Sequence, residues 1–358
     1  MLLQSNVYAT VLTKEGGAMQ LDQPGRNKAA AFAIYAASAE ALFPAAEAAG
    51  QKAPPLTDSP LEVCWESLWQ FRANDDAYWI QHLRNLLGAG QDNLYYGLLL
   101  RCTQPLPDIG YKIGDLLVTI RGTETAKEWL LNFNAVAVPC KTVQHPQGGL
   151  VHEGFYSIYR SLEVWDDKGD EIESAAALLA AELRPDGPQL TVVGHSLGAA
   201  LVSYLIYDIA DAVRSTGGDV PGRLARLNSY MFASPNPGDP VFAQGLQAAV
   251  PNYAVVDWAR DVVPQVPPIA PPLFPFAHLA AAPPAQTFNW MVEADVPVWM
   301  PVDSLVCNHD TNCYARMLNP LNALGQSRSA AAGCDPTQPP PAAPTPPPAG
   351  KAAMPPPE

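Results

Sequence analysis

The chain is 358 residues long, 48% hydrophobic and 16% charged, which is enough apolar material for one large α/β domain or two smaller ones. Its 21 Lys and Arg against 35 Asp and Glu leave a net charge of −14, so there is no basic surplus for nucleic-acid phosphates or anionic bilayers. The best apolar stretch, Ala199–Val213, is interrupted by Asp208 and Asp211 and falls short of the roughly 18 apolar residues of a membrane span, so the expectation is a soluble protein. In chain order, helical spacing covers Arg26–Phe43, Glu62–Phe71 and Asp76–Leu87, which makes residues 1–93 an N-terminal helical section packed on the core. Leu94–Arg101 and Asp115–Arg121 read as strands rich in Leu, Val and Ile. A helix begins near His152, breaks at "DDKG" and resumes to Leu183; the strand Leu190–Val193 comes next, then a helix after Ser196 and strands at Tyr230–Ala233 and Tyr253–Val256.

Strands alternating with helices imply a mostly parallel central sheet covered on both faces, spanning residues 94–325. Proline marks the rest of the organisation. Of 38 prolines, 11 fall between Pro336 and Pro357, and the segment 326–358 lacks an apolar pattern to fold, so it reads as an extended, disordered tail. Another 8 lie between Pro264 and Pro284; that stretch is too apolar for a solvated linker and reads as a loop packed on the domain. The N-terminus has no basic region before an apolar core and no small-residue cleavage signature, so no secretory signal is visible.

The chemistry centres on "TVVGHSLGAALV". Gly194-His195-Ser196-Leu197-Gly198 fits G-x-S-x-G, with a β-branched run directly before it and an Ala/Leu-rich helix directly after. As a bare pattern this is weak, and the strand-turn-helix context carries the discrimination. A serine on so tight a turn needs neighbours without bulk, and the helix N-terminus aims backbone N–H groups and its positive dipole end at a developing oxyanion. Serine alone is a poor nucleophile; it needs a base oriented by a carboxylate, and in this architecture the acid follows the serine and the histidine comes last. After Ser196 only His278 and His309 remain, and either Asp257 or Asp261 could supply the acid on spacing alone.

Six cysteines are too few and too scattered for a disulfide scaffold. "CNHDTNC", Cys307–Cys313, invites a zinc reading, but structural zinc wants four ligands and no second pair lies nearby. Neither a metal nor a cofactor is expected, and a local disulfide or two plain thiols is the simpler reading of this cluster.

"IRGTETAKEWLLNFNAV", "GGLVHEGFYSIY", "GHSLGAAL", "FASPNPGDPVFA" and "RDVVPQVPP" occur in the order and rough spacing of the fungal-type class 3 lipases of the α/β-hydrolase superfamily, which the chain resembles over about Leu94–Leu318. The resemblance implies Asp261 as triad acid, His309 as base and Ser196 as nucleophile, with His278 structural and Asp257 helping to shape its loop. It also implies Thr123 and the backbone N–H of Leu197 as oxyanion donors, and His152 and His195 as supporting rather than catalytic residues. The segment Thr123–Phe133 is amphipathic, with Trp129 and Phe133 four apart and Leu130 beside them. It stands where the family carries a mobile lid. The helical section before Leu94 is not a familiar feature of the family, and the apolar proline insert after Asp261 is longer than the resemblance implies.

The implied activity is hydrolysis of carboxylic esters of lipids through an acyl-enzyme, with a phospholipase or a soluble short-chain esterase as the nearest alternatives. The expected partner is a lipid or ester substrate, at a lipid–water interface if the lid moves. A non-catalytic lipid-binding protein whose Pro-rich tail engages an SH3-like partner would need no elbow, acid loop and late histidine together. By resemblance the protein is secreted; the sequence itself leaves a cytoplasmic location open.

Overall fold

The structure, a computed structural model, describes residues 8–12, 18–20, 23–50, 52, 54–57, 59–74, 94–122, 136–141, 148–166, 171–172, 174–258, 261–267, 275–279, 288–293 and 308–319. Its strands are β1 (Tyr8–Leu12), β2 (Ala18–Gln20), β3 (Trp65–Ala73), β4 (Leu94–Cys102), β5 (Leu116–Ile120), β6 (Ala137–Pro139), β7 (Leu150–His152), β8 (Glu163–Trp165), β9 (Glu171–Ile172), β10 (Leu190–His195), β11 (Leu227–Phe232), β12 (Tyr253–Trp258) and β13 (Phe288–Glu293). The helices are α1 (Gln23–Ala41), α2 (Phe43–Ala48), α3 (Glu153–Arg160), α4 (Ala175–Glu182), α5 (Leu197–Thr216), α6 (Val220–Leu224), α7 (Pro240–Ala249) and α8 (Thr311–Leu318).

The main sheet runs β2-β1-β13-β12-β11-β10-β5-β4-β3-β8-β9. Its centre, β13-β12-β11-β10-β5, is parallel, and both margins are antiparallel. Side chains in a strand alternate between faces, so one strand feeds two cores. Leu116, Val118 and Ile120 of β5, with Val192 of β10, join the core beneath α3, α4, α5 and α7. Leu117 and Val193 point the other way, into a core built with Ala29, Phe32 and Ala33 of α1 and Tyr314 of α8. A mostly parallel central sheet with helices on both faces, and a serine between β10 and α5, is the α/β-hydrolase architecture.

The central strands lie where periodicity puts them, within a few residues. The N-terminal section differs. The helix expected over 26–43 is present as α1, but Pro44, which lacks an N–H, falls in the first turn of α2 instead of inside a longer helix. The helix expected over 62–71 is largely the strand β3, which pairs with β4 and β8. Its register shifts between Ser67 and Trp69 and between Phe71 and Arg72 break the two-residue alternation, which is why its apolar spacing imitates a helix. The helix expected from 152 ends at Arg160, and Glu163–Trp165 becomes β8, satisfying the edge of β3. The helix expected over 76–87 and the tail 326–358 lie outside the described residues.

Gly25–Ala48 is long and apolar enough to cross a membrane by length and composition, a property that its scattered polar residues conceal in the sequence. It is apolar on most sides because it is enclosed: 67% of its most apolar window is buried, and α1 lies across β4, β5, β10 and β11 and packs on α8.

Candidate active site

β10 is buried along its whole length and ends at His195; the next residue, Ser196, has a φ of 56° and a ψ of −128° that place a non-glycine residue in a strained backbone region. The tight turn depends on both flanking glycines. A Cβ on Gly194 would meet the Gly198 carbonyl oxygen at 2.5 Å, and a Cβ on Gly198 would meet the Ile120 carbonyl oxygen at 2.4 Å. The turn is held in the sheet by the Ser196 N–H, which donates to the Phe232 carbonyl at 3.0 Å. Leu197 is buried as the first residue of α5, so its N–H belongs to the helix N-terminus beside the serine. Thr123, Trp129, Leu130 and Phe133 lie outside the described residues.

Three chain segments converge on the serine. His309 Nε2 is 2.8 Å from Ser196 Oγ, and His309 Nδ1 is 2.8 Å from Asp261 Oδ2. An ionised carboxylate only accepts, so Nδ1 carries the proton donated to Asp261 and Nε2 is left to accept from the serine hydroxyl. Asp261 is 1% exposed and fully engaged: Oδ1 accepts from the Val263 N–H at 2.9 Å, and Oδ2 also accepts from the Tyr314 hydroxyl at 2.8 Å. The Tyr314 hydroxyl in turn accepts from the Trp258 N–H at 3.0 Å. Burial, then the charges of Asp261 and Asp257, push that hydroxyl well above its ordinary pKa and keep it a donor.

His309 immediately precedes α8, which is started by Asp310: its carboxylate accepts from the N–H groups of Asn312 at 2.8 Å and Cys313 at 3.1 Å. That N-cap is readable in the sequence as an aspartate before an apolar helix, although the pattern around His309 is otherwise featureless. The same helix carries Tyr314 to the acid. Cys307 lies outside the described residues, and Cys313 is buried on α8.

The other candidates of the sequence pair with each other. Asp257 Oδ2 lies 2.6 Å from His278 Nε2. Burial holds the Asp257 carboxyl above its ordinary range despite His278; burial lowers the His278 pKa, but the Asp257 charge and hydrogen bond raise it overall. His152 caps α3, its Nδ1 accepting from the Phe155 N–H at 3.3 Å, and its ring packs on Phe155 at 4.1 Å. His195 Nδ1 contacts Glu40 Oε1 of α1 at 2.8 Å, and its ring lies 4.5 Å from that of His309. Sequence reading missed Tyr314 and Glu40: no local motif marks either, and only the packing of α1 and α8 brings them here.

Residues 117–270 match the family described as Lipase (class 3). Over that stretch the chain is similar to the class 3 lipases. Among its relatives, phospholipase A1-II 6 of Oryza sativa subsp. japonica is 32% identical over 170 residues, covering 44% of this chain and 41% of its own length. Secreted mono- and diacylglycerol lipase 1 of Fusarium solani is 29% identical over 164 residues, covering 46% and 42%. The chain thus spans about two fifths of the length of the curated relatives it matches. The solved structure of Rhizomucor miehei lipase in its propeptide complex aligns with a TM-score of 0.45 at 19% identity, over 78% of this chain and 75% of that one.

Proposed function

We propose that this protein is a class 3 lipase that hydrolyses carboxylic esters of lipids, with Ser196 as nucleophile, His309 as general base and acid, and Asp261 as the carboxylate that orients it. The observation that carries the reading is the unbroken chain Ser196 Oγ to His309 Nε2 and His309 Nδ1 to Asp261 Oδ2, each link 2.8 Å, behind a strained strand-to-helix turn. His309 takes the serine proton as Oγ attacks the ester carbonyl, and the imidazolium is stabilised by Asp261. The tetrahedral oxyanion is met by the Leu197 N–H and by Thr123, each donor worth about 2.7–4 kcal/mol in the transition state. His309 then protonates the departing alcohol, and water repeats the sequence on the acyl-enzyme. The segment carrying Trp129, Leu130 and Phe133 acts as a lid whose apolar side is covered in water and uncovered at a lipid surface.

An acylglycerol is the substrate expected from the resemblance to fungal-type lipases. Relatives named phospholipase A1 favour a second reading, in which the acyl chain is removed from a phospholipid. Emulsified acylglycerol, phospholipid vesicles and dissolved p-nitrophenyl esters, assayed side by side, separate these readings. Ser196→Ala should abolish turnover of all three and labelling by a fluorophosphonate. Hydrolysis persisting in that variant would sink the proposal.

A further inference from the structure

The triad is tied together on one side by Asp261, which holds His309 and Tyr314, but among the described residues that network does not reach the end of β5, the strand that leads into the oxyanion segment. A single side chain from the N-terminal helix does. Glu40 is half-buried near the end of α1, and its two oxygens serve three separate chain segments. Oε1 accepts from the Gly122 N–H at 3.2 Å, just past β5, and lies 2.8 Å from Nδ1 of His195, the residue before the nucleophile. Oε2 accepts from the Thr311 hydroxyl at 3.2 Å, two residues after His309. Burial disfavours the charge on both Glu40 and His195, yet their mutual attraction and hydrogen bond, helped at Glu40 by the Gly122 N–H, hold the carboxyl below its usual range and raise the imidazole. Charge-assisted hydrogen bonds of this kind are the stronger ones and fix geometry as well as energy.

Resting on the serine-hydrolase reading above, we propose that Glu40 is a positioning residue, a carboxylate hub that sets the elbow, the strand end before the oxyanion segment and the start of the helix that follows the base in one register. It touches none of the reacting atoms. Its contribution is alignment: Ser196 follows His195, Thr123 follows Gly122, and His309 lies two residues before Thr311, so displacement of the hub loosens nucleophile, oxyanion donor and base together. A misplacement of about 1 Å at such a site can cost on the order of a hundredfold in rate. α1 therefore does more than cover one face of the sheet.

The test compares Glu40→Met, which keeps the volume and helix propensity but removes every acceptor, with Glu40→Gln, whose amide oxygen still accepts from Gly122 and His195 while its NH2 donates to Thr311. Turnover of a dissolved p-nitrophenyl ester is measured per serine titrated by a fluorophosphonate, so that lost folded protein does not count as lost rate. Glu40→Met should lower kcat about a hundredfold with KM changed less than about threefold, and Glu40→Gln should stay within about tenfold of wild type. A kcat per titrated serine in Glu40→Met within about threefold of wild type, or equal losses in the Met and Gln variants, overturns the proposal. Should Glu40→Met fail to fold, Thr311→Val decides: a fall in kcat of about three- to tenfold at constant KM supports the hub, and an unchanged kcat overturns it. A wild-type protein that neither turns over esters nor takes the label would instead refute the hydrolase reading, before any Glu40 variant is made.

Discussion

Two aspartate–histidine pairs sit at the end of β12, and they differ in what the far side of the imidazole meets. Asp257 Oδ2 and His278 Nε2 are 2.6 Å apart, closer than Asp261 Oδ2 and His309 Nδ1 at 2.8 Å. Proximity to a carboxylate therefore does not single out the working base. His309 spends Nδ1 on the acid and keeps Nε2 for Ser196 Oγ, whereas His278 spends Nε2 on the acid. The acids differ as well. Asp261 receives hydrogen bonds from His309, Tyr314 and the Val263 N–H. Asp257 remains under-compensated, its carboxyl raised by burial. In the proposed function the first pair is a relay into the nucleophile, whereas the second ties residue 278 to the strand end.

The largest effects should fall on the first pair. His309→Ala and Asp261→Asn should each lower kcat by about 10⁴-fold while leaving the thermal transition nearly unchanged, because loss of a triad member leaves only the oxyanion hole and binding. Stopped-flow or steady-state turnover with a dissolved ester, beside a thermal melt, checks both. Tyr314→Phe removes one of the donors to Asp261 and should lower kcat by about tenfold with KM unchanged, the loss expected for a single buried hydrogen bond. An unchanged kcat would reduce Tyr314 to packing.

On the second pair the expected signature is stability rather than rate. His278→Gln should keep kcat within about threefold of wild type. Breaking a buried pair typically costs roughly 3–5 kcal/mol, and less is expected here because His278 is partly exposed. The pH dependence has a definite sign. The folded pKa of His278 lies above the ordinary imidazole value of 6.5, so its contribution is complete below that value and fades as pH rises through the folded pKa. Chemical denaturation should accordingly show a larger deficit of His278→Gln relative to wild type at about pH 6 than at about pH 9. A deficit that grows with pH would mean that the pair is not held together by charge.

How much of this could be read from the chain alone depends on whether the constraint is local. The elbow is legible because sterics at Gly194 and Gly198 act over five consecutive residues, and β5, β10, β11 and β12 are legible because buried parallel strands are continuous apolar runs. β3 is illegible as a strand because its register shifts disrupt the alternation that identifies one. Spacing leaves Asp257 and Asp261 equivalent, since both follow the same strand; only the side-chain directions separate their partners. Glu40 lies 155 residues from His195 in an alanine-rich helix, and nothing near it in sequence distinguishes it from a solvated surface acid. Tyr314 is visible only once Asp310 starts α8 and turns its first face toward Asp261.

The central claim, that His309 rather than His278 activates Ser196, is tested most directly by the rate at which a fluorophosphonate labels Ser196 in the two histidine variants. Phosphonylation needs the same proton transfer as ester attack but no particular substrate. His278→Ala should label within about threefold of the wild-type rate, and His309→Ala about a thousandfold more slowly. Full-rate labelling of Ser196 in His309→Ala, with labelling lost in His278→Ala, would contradict the account.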